Sequence, residues 1–232
     1  MMELLKIVIL FVVTSHAEMG ETGEPTGMWL EEAAAPYYAF IDAGYDVVVA
    51  SPKGGKTPID PRSLEAGNQT DATKRFLSDS KARKAFMEAI PLDELSDVEY
   101  TAVFLPGGHG PMWDLANNEK LGDILVEAQK QNKPIGAVCH GPAGLLSAKD
   151  TDGNWIFADK EMTAFTNSEE SAVQLDKVVP FLLETEIVKQ GATFSRRTNF
   201  TPHVVVDGLL VTGQNPPSSE GTAEEIIRLI QN

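Results

Sequence analysis

Four short and almost wholly apolar runs, spaced by helical patterns, restrict this chain more than any other feature. They fall at residues 7–13, 46–50, 101–105 and 135–138. Runs this short are poor helices, and their lack of polar alternation excludes a strand with one wet face. They are therefore predicted to be strands buried on both faces, as in a parallel sheet. Between them, residues 28–43, 79–89 and 118–131 carry helical patterns, the first with Thr26 as a candidate N-cap and Gly44 as a stop. This alternation predicts an α/β fold: a doubly wound, mostly parallel sheet with helices on both faces. Downstream, "MTAFT" at 162–166 is expected to add a strand, and "VVPFLLETEIVKQG" a helix entered at Pro180 and ended near Gly191. "HVVVDGLLVTG" places Asp-Gly between two apolar runs and predicts a C-terminal β-hairpin. The serines of "SSEGTAEEIIRLIQ" are expected to cap a last amphipathic helix. Residues 53–74 are polar and rich in Gly and Pro, so they are expected to form an irregular excursion from the sheet. No repeat or linker divides the chain, and residues 1–232 are expected to form a single domain.

At 232 residues and 42% hydrophobic content, the chain can bury a substantial core. Its 34 acidic and 19 basic residues give a formal charge of −15, which repels phosphate backbones and anionic lipid. Neither nucleic acid nor a membrane is an expected partner. One cysteine excludes an internal disulfide and a Cys-rich zinc site, and four scattered histidines give no metal-ligand spacing. No metal is expected, and a reducing, cytoplasmic location fits. The N-terminal "LLKIVILFVV" is too short to span a bilayer. With the following "SHA" it could imitate a secretory signal, but its n-region lacks net positive charge, and the run is expected to be the first strand.

The cysteine, Cys139, lies in "KPIGAVCHGPAGLL", where a predicted strand breaks into His-Gly-Pro before a predicted helix. Groups at the carboxyl ends of parallel strands line the ligand crevice of open α/β sheets. The order small residue, Val, Cys, His, Gly has the layout of a nucleophile elbow, with Gly141 leaving room for close packing. A helix N-terminus there would favour the thiolate, so a low-pKa cysteine is expected. Free cysteine is also among the most buried residue types, so Cys139 alone leaves core packing open. A second glycine-rich turn weighs for chemistry. "YTAVFLPGGHGPMWDL" runs a strand into Gly107, Gly108 and His109 at the same sheet edge, where backbone N–H groups could stabilise an oxyanion. That run fits neither the dinucleotide fingerprint nor a phosphate-binding P-loop. His140, next to the thiol, is a candidate base. His16 and His203 lack such a setting and are expected to be surface or loop residues. Glu31 and Glu32 stand near a helix start, and Glu169 and Glu170 in "NSEES". Residue type alone does not choose within either pair.

Taken together, "AVCHGPAGLL", "FLPGGHGPMWDL", "TGMWLEEAAAPYYAFIDAGYDVVVASPKGG" and "LVTGQNPPSS" resemble the ThiJ/PfpI superfamily, whose fold is flavodoxin-like. More narrowly they are similar to its branch of heat-inducible chaperones and glutathione-independent glyoxalase III enzymes. The resemblance runs from about residue 5 to the C-terminus. It implies a triad of Cys139, His140 and Glu170, with Glu169 the competitor for the acid. It also implies Glu32 beside the thiol, with Glu31 the competitor, and Gly107, Gly108 and His109 as the oxyanion and substrate-binding turn. The implied activity is a cofactor-free conversion of methylglyoxal, or a similar 2-oxoaldehyde, to a 2-hydroxy acid such as D-lactate. Glu32 or His140 would be the base, Glu32 with its pKa raised by burial, and Glu170 would orient His140. A homodimer is expected. The alternatives are a holdase that binds unfolded proteins and a redox sensor built on Cys139. The sequence has no counterpart of the long N-terminal extension of larger chaperone members, which weighs against the holdase. Glutamine amidotransferases pair their cysteine with a late His-x-Glu, whereas the late histidine here lies in "TPHVVV".

Overall fold

The computed structural model describes residues 6–95 and 98–232. In chain order the elements are β1 (Val8–Val12), α1 (Leu30–Asp42), β2 (Asp46–Ser51), α2 (Asp71–Ser78), α3 (Ser80–Met87) and β3 (Ile90–Pro91). Next come β4 (Ala102–Leu105), α4 (Pro111–Asp114), α5 (Glu119–Lys130) and β5 (Ile135–Val138). The chain continues with β6 (Glu161–Met162), α6 (Asn167–Ala172), α7 (Leu183–Lys189), β7 (Thr193–Phe194), β8 (Val204–Asp207), β9 (Leu210–Gly213) and α8 (Ser219–Gln231).

Seven strands form one sheet in the order β3-β2-β1-β4-β5-β9-β8. All neighbours are parallel except β8 and β9, the expected C-terminal hairpin. The chain winds outward from β1 to β3, then returns to place β4 on the other side of β1. That reversal opens a crevice at the carboxyl ends of β1 and β4, where ligands of such sheets bind.

Period-two alternation distributes β1 between two cores. Ile9, Phe11 and Val13 pack with α1 and α8, through Leu30, Phe40, Ala223 and Ile226. Leu10 and Val12 face the other way, into the cluster that holds Leu121 and Leu125 of α5 and Leu183 and Ile187 of α7. Both faces of the sheet are thus covered, which is why its central strands carry no polar alternation. Phe11 and Phe104, on adjacent strands, stack with ring centroids 5.1 Å apart. Among the described residues no helix is long and apolar enough to cross a membrane.

Several local expectations are corrected. Thr26 does not cap α1, which starts at Leu30; its hydroxyl instead donates to the buried Asp60 carboxylate at 2.9 Å. The helix expected over 79–89 is preceded by a separate helix, α2, which lies partly within the supposed irregular excursion. The two are divided at Asp79, whose extended backbone breaks α2 and whose carboxylate caps α3 by accepting from the Lys81 and Ala82 N–H groups. Within 162–166 only Met162 is paired as strand, in a separate two-stranded sheet of β6 with β7. The rest of that segment runs to the elbow, where the Phe165 N–H donates to the Cys139 carbonyl at 2.9 Å. The helix expected from Pro180 begins at Leu183. Neither Ser218, just before α8, nor Ser219, its first residue, caps it: Ser218 Oγ donates to Asn215 Oδ1 and Ser219 Oγ to the Pro216 carbonyl.

Candidate active site

The strand β5 ends at Val138, and the chain turns into a seven-residue 3₁₀ helix, Gly141–Ser147, in place of the expected α-helix. Cys139 occupies the turn at φ +59°, a left-handed conformation that is costly for a residue with a side chain. Two backbone bonds hold it there: its N–H donates to Gly213 O at 2.9 Å, and its carbonyl accepts from Phe165. A Cβ on Gly141 would lie 2.1 Å from the Leu105 carbonyl, so the turn can pass β4 only with glycine there.

Continuing the β4–β5 register past Leu105 and Ala137 brings Gly107 level with Cys139. Gly107 is as tightly confined: a Cβ there would lie 2.5 Å from Glu32 Oε2 and 2.7 Å from both His140 N and Val138 O. Absence of a side chain at Gly107 thus makes room for the Glu32 carboxyl beside the thiol.

His140 is fully buried, its Nδ1 3.3 Å from Cys139 Sγ and its Nε2 donating to Glu170 Oε2 at 2.7 Å. The other Glu170 oxygen accepts from His109 Nε2 at 2.9 Å. Burial pushes the Glu170 carboxyl up, but the charge His140 can carry and the hydrogen bonds from both imidazoles outweigh it. The group is held well below the usual carboxylate range. His109 is lowered to about 4, by burial first and then by neighbouring His140.

Glu32 is the opposite case. It is fully buried, and neither carboxyl oxygen has a hydrogen-bond partner of full geometry. Burial raises it to about 8, offset only in part by the Cys139 thiol and the Gly107 and Gly108 N–H groups that face it. Cys139 is also raised, through burial and then through the charge and hydrogen bond of Glu32. This corrects the expected low-pKa thiol: a buried thiol beside a carboxyl gains less from a short 3₁₀ turn than it loses on desolvation. With the proton kept on Glu32, its repulsion of a thiolate disappears.

All seven residues expected at the site, Cys139, His140, Glu170, Glu32, Gly107, Gly108 and His109, are brought together. The competing glutamates point elsewhere. Glu31 accepts from the Thr70 hydroxyl at the cleft wall. Glu169 is a structural anchor that accepts from Thr166, Phe200, Gln214 and Asn215. His16 stacks on Trp113, and His203 Nε2 lies 2.9 Å from Ser195 Oγ.

Cys139 and His140 open into a cleft of about 720 Å³. Its walls include residues for which the sequence offers little signal: Trp29, Arg62, Phe165, Val173 and Phe200. Among the described residues, His109, His140 and Glu170 are the one cluster whose ligand atoms come within 4.8 Å of one another. Both imidazole Nε2 atoms already donate hydrogens to the carboxylate, so they offer no lone pair there to a metal.

A doubly wound sheet with a strained cysteine elbow at the carboxyl end of β5, beside its switch point, and with a histidine–glutamate pair next to the thiol, defines a cysteine-elbow α/β protein. The DJ-1/PfpI family pattern matches residues 25–229, and the chain belongs to the DJ-1/PfpI family, in agreement with the resemblance of its motifs. It is 29% identical over 236 residues to the glutathione-independent glyoxalase hsp3101 of Schizosaccharomyces pombe, covering 97% of this chain and 96% of that protein. The structure of Candida albicans glyoxalase III matches with a TM-score of 0.89 and 27% identity, over 96% of this chain and 97% of that one. The Rapid Encystment Protein 24 KDa of Francisella tularensis matches with a TM-score of 0.92 and 38% identity, over 97% and 100% of the two chains.

Proposed function

We propose that this protein is a glutathione-independent glyoxalase that converts methylglyoxal, or a similar small 2-oxoaldehyde, to a 2-hydroxy acid. The observation that carries the proposal is the placement of Cys139 Sγ between His140 Nδ1, at 3.3 Å, and a buried Glu32 whose carboxyl is raised to about 8. Relatives named as glyoxalases along nearly the whole chain support it.

His140, oriented by Glu170, takes the thiol proton as sulfur attacks the aldehyde carbon. Protonated Glu32 gives its proton to the new alkoxide, and a hemithioacetal results. The N–H groups of Gly107 and Gly108, which face Glu32, stabilise the developing oxyanion. Glu32, now ionised, removes the C1 hydrogen while protonated His140 gives its proton to the C2 oxygen, forming an enediol. Glu32 returns the proton to C2 and His140 takes the C1 hydroxyl proton, leaving a 2-hydroxy thioester. Ionised Glu32 then deprotonates water, which attacks the thioester, and protonated His140 returns its proton to the departing sulfur. The sum is one 2-oxoaldehyde plus one water to one 2-hydroxy acid, with no external oxidant or cofactor. A carboxyl near 8 suits this work because it is both a usable acid and a usable base near neutral pH.

The deciding measurement is lactate formation from methylglyoxal without glutathione. Wild type is expected to turn over, and Cys139→Ala to be inactive while keeping its unfolding transition. Near wild-type turnover by the alanine variant would falsify the assignment. The homodimer implied by the resemblance and the cytoplasmic location that fits the lone cysteine remain part of this proposal, the first checked by light scattering. A holdase needs a contiguous apolar surface. The exposed large apolar residues described here, such as Leu77, Met87, Val188 and Val206, are spread over separate elements, and Val173 and Phe200 belong to the cleft.

A further inference from the structure

Glu170 carries two imidazoles, although an elbow needs one. The second leads out of the site. Arg62, on the 3₁₀ turn Pro61–Leu64, donates from Nη2 to His109 Nδ1 at 3.3 Å. Its own position is locked by Asp60, which is fully buried and accepts from Arg62 Nε at 2.9 Å, from Nη2 and from the Thr26 hydroxyl.

A guanidinium can only donate, so His109 Nδ1 must be the acceptor and carry no hydrogen. In a neutral imidazole the hydrogen is then on Nε2, aimed at Glu170 Oε1. Glu170 Oε2 takes the His140 Nε2 hydrogen, which leaves the His140 Nδ1 lone pair facing the thiol. We propose that Arg62 is a positioning residue: by donating to His109 Nδ1 it fixes the His109 tautomer, and with it the direction of every hydrogen bond from Asp60 to Cys139. The groups facing His109 are Arg62 from the 3₁₀ turn, Glu170 from α6, His140 from the elbow with ring centroids 4.1 Å apart, and the uncharged Phe165 ring. The lowered pKa of His109 keeps it neutral, as the tautomer requires. Without Arg62 the Nδ1–H tautomer becomes available and turns an Nε2 lone pair onto Glu170 Oε1. Two acceptors 2.9 Å apart repel, and the carboxylate then rotates or takes up a proton. Either response weakens its hold on His140.

Substituting Arg62 alone would strand the buried Asp60 charge, so the test uses the double variant Asp60→Asn/Arg62→Met. Nitrogen-15 NMR of histidine-labelled, substrate-free protein reads the tautomer directly. Expected are a pyridine-type Nδ1 and a pyrrole-type Nε2 for His109 in wild type, and loss of that pattern in the double variant. Arg62→Lys, which keeps a charge for Asp60 but lacks the planar fork, is expected to give mixed signals if the double variant does not fold. An Nδ1–H tautomer in wild type, or an unchanged pattern in the folded variant tested, overturns the proposal. The kinetic arm rests on the glyoxalase proposal. There kcat is expected to fall roughly 100-fold, the lower end of the range for a positioned base, with KM little changed. A raised KM at constant kcat would make Arg62 a substrate ligand and also overturn the positioning role. Lack of any methylglyoxal turnover by wild type would remove the glyoxalase proposal and leave the tautomer result standing.

Discussion

Glu32 faces the thiol directly and Glu170 is linked to it through His140; both are out of contact with bulk water, and they are kept in opposite states. Glu170 receives an imidazole N–H on each oxygen, so burial is outweighed and the carboxylate stays ionised. Glu32 has no donor of comparable geometry, and burial raises it to about 8. Depth does not decide the charge of a buried acid; the donors aimed at it do. In the proposed reaction one carboxylate would serve as a fixed anion that orients His140, and the other as a proton carrier.

The comparison breaks most sharply at Glu170. Glu170→Gln replaces an acceptor by an amide N–H₂ that confronts one of two imidazole donors, and steady-state kinetics should show kcat reduced by roughly 10⁴-fold, the upper end for a positioned base. A loss under tenfold would mean that His140 does not depend on it.

Glu32 should reveal itself through pH. Its folded pKa lies above the unfolded value of 4.5, so between about pH 4.5 and 8 the folded state binds more protons than the unfolded one and stability falls as pH rises. Glu32→Gln removes that dependence. Denaturant unfolding should find the variant and wild type alike below about pH 4.5, and the variant more stable by a difference on the order of 5 kcal/mol at pH 9. Equal pH profiles would show that Glu32 is not raised.

Gly107→Ala tests the space that admits the Glu32 carboxyl beside the thiol. Its methyl must displace Glu32 Oε2 or the elbow backbone, and urea unfolding should register a destabilisation of about 1–3 kcal/mol. The smallest effect is expected at the cleft mouth, where Phe200 is held at φ +57° and 46% exposed. Phe200→Gly relieves the backbone while losing a half-exposed ring, and thermal unfolding should show a net change within about 1 kcal/mol.

Much of this arrangement could be read from the chain itself. The apolar runs placed β1, β2, β4 and β5, and the Asp-Gly pair placed the hairpin, because burial on both faces and a tight turn each leave a local signature. The elbow and the facing glycine turn were equally legible. Selecting Glu170 over Glu169 needed the family resemblance, although a local signal was present. Thr166 and Glu169 have capping-box spacing, and the structure shows both bonds of that box, which commits Glu169 to the helix start. Arg62 and Asp60 were hidden for another reason. They lie in the polar excursion of residues 53–74, whose link to His109 comes from tertiary folding and has no periodicity to betray it. The rise in the thiol pKa was also illegible, since a helix-start position suggests stabilisation of charge and only the packed structure reveals the desolvation.

The clamp on Cys139, with its N–H on Gly213 and its carbonyl on Phe165, has a stereochemical consequence. The clamp fixes the backbone from which the thiol projects, and the sulfur reaches both His140 and Glu32. In the proposed reaction a captured aldehyde would therefore present one face of its neighbouring ketone carbon to Glu32. Protonation at C2 should then give a product of one hand, and chiral chromatography of the lactate formed would measure how strictly a backbone turn can dictate the configuration of a carbon it never touches.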